Sequence, residues 1–133
     1  MVLVDSNILI DIFTDDPVWG EWSAEQLLAV SVTDELAINP LIYAEISIAY
    51  RTAGELQKAL RPWPLEHLPL PYEAGFIAGQ AFLAYRKEHK GQKRSPLPDF
   101  YIGAHAQVSG LRLLTRDENR YRTYFPKVTL IAP

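Results

Sequence analysis

The chain has 133 residues, 48% hydrophobic and 22% charged, with a net charge of −3 and no cysteine. That length suits one domain with its own core, expected to span residues 1–133. The composition excludes disulfides, thiolate zinc sites, cysteine nucleophiles and a uniformly basic nucleic-acid-binding surface. His67, His89 and His105 are scattered and form no HxxxH or HxH pair. The start, MVLVDSNILIDIF, has no early basic residue and two aspartates. It reads as neither a signal peptide nor a membrane span, so a cytoplasmic location is expected.

Residues 2–4, VLV, form an apolar run ending at Asp5, as a buried strand does. Asp5 or Ser6 can cap a helix over residues 7–13, which Asp15-Asp16-Pro17 stops. A second helix is expected over 18–30, with Trp19, Trp22 and Leu27 or Leu28 on one side, then a short strand over 36–38. Asn39-Pro40 opens a third helix, with Asn as cap and Pro in the first turn. Its apolar pattern runs to about Ala53, and Gly54 is placed to close it. A short amphipathic helix over 55–61 precedes Pro62-Trp63-Pro64, and 65–68 is a weaker strand. A helix over 72–88, a polar basic loop over 87–98 and a helix from Pro98 to Gly110 follow. Residues 111–115 and 128–132 are apolar strands. Strands alternating with helices predict an α/β fold, a three-layer sandwich on a mostly parallel sheet.

Four acids stand out. Asp5 follows the first strand, and Asp117 follows LRLLT and Arg116. If those strands are parallel, both acids project from carboxyl ends of the sheet, where open α/β sheets bind ligands. Glu45 lies in PLIYAEISIAY, and its helical neighbours Leu41, Ile42, Ile48 and Ala49 are apolar. A carboxylate on a buried stripe must be protonated, paired from elsewhere or metal-bound. Asp99 opens the helix PDFYIGAHA, in which Gly103 and Ala104 permit close packing against the sheet. Each acid also has an ordinary reading: helix capping for Asp5 and Asp117, a favourable dipole for Asp99, the solvent edge of the stripe for Glu45. Gathered, they would repel one another strongly unless hard cations neutralise them. Oxygen ligands without His or Cys favour Mg²⁺ or Mn²⁺ over zinc. Two such ions would take the four acids from −4 to zero and the chain from −3 to +1.

The segments VLVDSNILID, YAEIS, PDFYIGAHA and LLTRDENRYRTYFP, in that order and spacing, resemble PIN-domain proteins. More narrowly, they resemble the VapC-type toxins of type II toxin–antitoxin systems. The resemblance implies a PIN-like α/β/α sandwich and a metal-dependent endoribonuclease. Asp5, Glu45, Asp99 and Asp117 then stand as metal-binding and catalytic residues. Thr115 is implied as a hydroxyl that orients a carboxylate or water, and Asn119 as an outer member. A cognate antitoxin protein and a homodimer are the implied partners.

Lys87, Lys90, Lys93 and Arg94 precede Asp99, and Arg116, Arg120 and Arg122 flank Asp117. Of these, Lys93, Arg94 and above all Arg116 are candidate binders of RNA phosphates. Trp19 and Trp22 are read as core, with an antitoxin groove as the alternative. His105 and Asp11, each six residues beyond an acid, point elsewhere on their helices and read as structural. Two rival functions stay open at this stage. One is a non-catalytic RNA- or protein-binding module on the same fold. The other is a haloacid-dehalogenase-like phosphatase, which needs a second acid where this chain has Asn7.

Overall fold

A computed structural model describes residues 1–90 and 97–133. Lys93 and Arg94 lie outside the described residues. Five short strands form one sheet: β1 (Val2–Val4), β2 (Leu36–Ile38), β3 (Leu65–His67), β4 (Arg112–Leu114) and β5 (Leu130–Ile131). Their order is β3-β2-β1-β4-β5, and every pairing is parallel. Val2, Leu3 and Val4 are fully buried, as expected of a central strand covered on both faces.

Seven helices are described: α1 (Ser6–Phe13), α2 (Gly20–Thr33), α3 (Pro40–Ser47), α4 (Ala53–Leu60), α5 (Glu73–Glu88), α6 (Leu97–Ser109) and α7 (Glu118–Tyr124). From β1 the chain steps outward to β2 and β3, then returns across the sheet to β4 and β5. Right-handed crossovers in opposite directions put helices on opposite faces, which makes the three layers. The strand order switches between β1 and β4. Their register pairs Val4 with Leu114, and the Asp5 amide donates to the Leu114 carbonyl at 2.9 Å. The residues that follow, Asp5 and Thr115, therefore emerge side by side at the carboxyl rim.

Local chemistry explains most boundaries. The Asn39 side chain accepts from the Ile42 amide at 2.9 Å, and Pro40 occupies the first helical position. Asp16 accepts from the Val18 and Trp19 amides at 2.9 and 2.8 Å, turning the chain between α1 and α2. Gly110, at φ +64°, ends α6 in the left-handed region.

Three expectations need correction. Helix α3 ends at Ser47, not near Ala53, and Gly54 lies inside α4. The apolar pattern that promised a longer helix continues into Ile48, which is 86% exposed. The true restart is Thr52, whose hydroxyl accepts from the Glu55 amide at 3.1 Å and caps α4. Residues 118–124, not anticipated as an element, form α7. Gly103 does not serve the sheet: a Cβ there would meet the Phe125 ring at 2.3 Å, so glycine makes room for the residue that ends α7.

Candidate active site

The site grows from the switch point. Asp5 is 4% exposed and caps α1, its Oδ1 accepting from the Ser6 amide at 2.8 Å. Its Oδ2 accepts from the Thr115 hydroxyl at 2.8 Å, the Tyr121 hydroxyl at 3.0 Å and the Asn7 amide at 3.3 Å. Capping and site membership are thus the same geometry. Asn7 occupies the position where a dehalogenase-type phosphatase needs its second acid; here it donates to Asp5 and Thr115.

The other acids are reached through short links. The Ser6 hydroxyl lies 3.1 Å from Glu45 Oε1 and 3.4 Å from Asp5 Oδ1, so one hydroxyl separates the two carboxylates. Thr115 Oγ1 accepts from the Asp117 amide at 3.0 Å. The Arg120 guanidinium spans the last gap, 2.6 Å from Asp117 and 3.7 Å from Asp99. A continuous polar network therefore runs from Glu45 through Ser6, Asp5, Thr115, Asp117 and Arg120 to Asp99. It joins α1, α3, α6 and α7 with the end of β4.

Glu45 owes its place to this network rather than to an apolar stripe. Ile42 and Ile46 of α3 are buried, whereas Ile48 lies beyond the helix and in solvent. Glu45 turns toward Ser6, on the flank that faces α1.

The electrostatics are those of crowded like charges. Burial pushes the Asp5 carboxyl up; hydrogen bonds from Thr115, Tyr121 and Ser6 pull it down, and the Asp117 charge pushes it up again. Glu45 is raised by burial and then by Asp5 and Asp99, against the hydrogen bond from Ser6 and the Arg120 charge. Asp99 is raised by burial and by Asp117, and Arg120 opposes this. Tyr121 is driven well above its ordinary value, first by burial and then by Asp5, so it remains a donor.

Among the described residues, no three carboxylates or imidazoles stand together as a closed set of metal ligands. Arg120 occupies the space between two of them. The donor set nonetheless suits a hard divalent cation: all oxygen, acidic in excess, and, at Asp5, Glu45 and Asp99, raised by burial and secondarily by mutual repulsion.

The remaining candidates separate cleanly. Arg116 directs its guanidinium onto Asp11, at 2.7 and 2.9 Å, and lies over the Trp19 ring at 5.7 Å. Asp11 is 1% exposed and also accepts from the Ser23 hydroxyl at 2.9 Å, so it is structural as expected. Trp19 and Trp22 pack edge to face against each other. His105 is buried and accepts from the Asn39 side-chain amide at 3.0 Å, away from the acids. Asn119 is exposed. The sequence marks Ser6 only as a possible helix cap and Arg120 only as a basic flank, and gives no sign of Tyr121. The available signal was spacing: Arg120 falls one helical turn after Asp117, on the same face.

A comparison with curated protein sequences finds no match. Solved structures are similar over nearly the whole chain. VapBC2 from Rickettsia felis, bound to a promoter DNA fragment, aligns with a TM-score of 0.73 at 18% identity, covering 99% of this chain and 98% of that one. FitAcB from Neisseria gonorrhoeae aligns at 0.70 and 21%, covering 98% and 96%. VapC20 from Mycobacterium tuberculosis, a sarcin–ricin-loop-cleaving toxin, aligns at 0.61 and 8%, covering 92% and 95%. At these identities the likeness is one of fold. The sequence profile of the PIN domain matches residues 2–126, and the chain belongs to the PIN-domain family.

Proposed function

We propose that this chain is a Mg²⁺- or Mn²⁺-dependent endoribonuclease that acts as the toxin of a toxin–antitoxin pair. The carrying observation is the buried Asp5 carboxylate, which shares its rim with Glu45, Asp99 and Asp117. Among the described residues, the guanidinium ion-paired with that set is Arg120. Among solved structures of the same fold, one is a toxin–antitoxin complex from Klebsiella pneumoniae and another a sarcin–ricin-loop-cleaving toxin.

Asp5 and Asp99 would be the main ligands, with Asp117 and Glu45 completing the site. Mg²⁺ or Mn²⁺ held there would supply Lewis-acid chemistry toward water and the phosphate oxygens of a phosphodiester. The chain's own residues do the rest. Thr115 and Tyr121 fix the orientation of Asp5 by donating to one oxygen. Ser6 sets Glu45 against Asp5, and the Asp117 amide locks the turn onto Thr115. Hydrolysis is expected to leave a 5′-phosphate and a 3′-hydroxyl. A protein antitoxin and assembly as a dimer belong to the same reading.

The test is expression of the chain and of Asp99→Asn, with sequencing of cellular RNA ends, alongside cleavage by purified protein in magnesium or chelator. Growth arrest and new ends with the unaltered chain alone, and cleavage abolished by chelator, are expected. Equal cleavage in excess chelator would overturn the metal assignment.

A further inference from the structure

Helix α5 lies against α6, with Ala74 and Ala78 buried. Its opposite face is apolar and open: Tyr72 is 98% exposed, Phe76 75% and Leu83 45%. At about 100° per residue these three fall within an arc of roughly 40°, so they form one stripe along the helix. Tyr72 precedes Glu73 but already has helical φ and ψ, which lengthens the stripe. A lone exposed apolar side chain is ordinary, whereas a contiguous patch rimmed by polar groups marks a contact surface.

Two further features say what covers it. Gly79 lies beside the stripe, between Phe76 and Leu83, in a helix interior that glycine weakens. Gly75 has a reason within the chain, because a Cβ there would lie 3.3 Å from the Tyr101 hydroxyl. At Gly79 a Cβ would meet nothing within 4 Å, so the chain's own packing does not require that glycine. Close approach of a second backbone would. The flanks carry opposite charge: Glu73 opens α5 and Lys87 stands in its last turn, both exposed. Among the described residues neither has an ion-pair partner. Both lie on the same side of the stripe as Gln80, which falls midway between them. A two-fold axis between antiparallel helices exchanges their ends and keeps each side of a stripe on its own side. An axis at Gln80 therefore sets Glu73 of each copy against Lys87 of the other, and Phe76 against Leu83. The exposed Leu28 and Val32 of α2 make a contrast. Their face carries Glu21 and Glu25, and α2 has no basic residue, so two copies would have no ion pair to exchange.

We propose that a second copy of this chain docks on the outer face of α5 with its own α5 antiparallel, about a two-fold axis at Gln80. This rests on the preceding reading for the expectation of a dimer and needs none of its ribonuclease chemistry. Phe76 and Leu83 form the apolar centre, Gly79 lets the backbones approach, and the Gln80 amide, both donor and acceptor, meets its twin. Aromatic side chains bury roughly 150 to 250 Å² each, so with Leu83 and the polar flanks the face offers on the order of 500 to 600 Å² per copy. Twice that, about 1,000 to 1,200 Å², is the lower bound of specific interfaces, and the pair is therefore in micromolar equilibrium rather than permanent.

The experiment is sedimentation velocity of the purified chain in chelator, over roughly 1 to 200 µM, the range suited to a small interface. The unaltered protein should pass from monomer to dimer across that range. Phe76→Ser should weaken association at least about tenfold, as loss of a central aromatic does. Gly79→Gln, which puts a side chain where the helices cross, should weaken it as much. In dilute protein the melting temperature of that variant should be unchanged or higher, because glutamine is the better helix former. Lys87→Glu should weaken association about threefold, and adding Glu73→Lys should restore it, the ion pair being remade in reverse. Association within twofold of the unaltered protein in both Phe76→Ser and Gly79→Gln would overturn the interface. So would an unaltered protein that stays monomeric throughout, or one that is monomeric alone and uses this face for a different protein. Magnesium-dependent cleavage of total RNA is measured alongside. Cleavage by a protein that does not self-associate through α5 overturns the interface alone, and self-association through α5 without cleavage overturns only the ribonuclease reading.

Discussion

Helix α1 carries two buried aspartates, and their surroundings are opposite. Asp11 is closed by a bidentate guanidinium from Arg116 and a hydroxyl from Ser23. Asp5, at the other end, receives only neutral donors; the charges of Asp117 and Glu45 crowd it, and the Arg120 counter-charge that it feels is already shared by Asp117 and Asp99. Both are hydrogen-bonded, so satisfaction alone does not separate structure from function. The difference is charge. A buried carboxylate with its own cation is a finished structural unit. A buried carboxylate among carboxylates is in deficit of positive charge, and divalent ions are the means of supplying it.

That contrast can be broken in several ways. The largest expected effect is on turnover. Asp99→Asn should lower RNA cleavage on the order of a thousandfold, about 4 kcal/mol of barrier. The same substitution should leave metal-free stability unchanged or slightly higher, because a neutral amide escapes the burial cost that raises the Asp99 carboxyl and that cost exceeds what the Arg120 charge returns; a large loss in urea melts would make Asp99 structural. At the other end of α1, Asp11→Ala should cost about 3 kcal/mol of stability, since it leaves Arg116 without its buried partner. A loss below about 1 kcal/mol in urea unfolding would mean that the Asp11–Arg116 pair is replaced by solvent.

A smaller effect is expected from metal itself. Manganese at a hundredfold excess over its dissociation constant should add about 2.7 kcal/mol of stability. Asp99→Asn should respond much less. An identical manganese response in both proteins would remove Asp99 from the ligand set.

The smallest effect sharpens the sign. Asp5, Glu45 and Asp99 are raised in the folded chain, so the folded state holds their protons more tightly than the unfolded state does. Their contribution is therefore fully present below the ordinary carboxylate values and is lost as pH rises through the raised ones. Asp16 and Asp34 are lowered, chiefly by the Trp19 amide and the Thr33 hydroxyl, and act oppositely as pH falls below the ordinary range. In chelator the protein should melt higher in mildly acidic buffer than at neutral pH. In manganese the order should reverse, because ligands must shed protons to bind. Melting temperatures that rise with pH in chelator would deny the crowding of charge.

Much of this was legible in the chain because it is written locally. Apolar runs ending in an acid announced β1 and the end of β4, and Asn39-Pro40 announced the start of α3. Four acids stood at such junctions or on a helix, and the parallel register carries two of them, Asp5 and Asp117, to the ends of neighbouring strands. What was not legible depends on contacts remote in sequence. Arg116 reads as a phosphate binder beside Asp117, yet its partner is Asp11, 105 residues away. Tyr121 reaches Asp5 across 116 residues, with no local pattern to mark it. Helix α3 stops without proline or glycine, so periodicity overran its end into the exposed Ile48.

The most direct test is a crystal of this protein soaked in manganese and measured at the metal's absorption edge. An anomalous peak within coordination distance of the Asp5 and Asp99 carboxylates, with Arg120 moved off Asp99, is the predicted result. Saturating manganese that leaves no peak at that rim, with Arg120 still spanning Asp99 and Asp117, would contradict it.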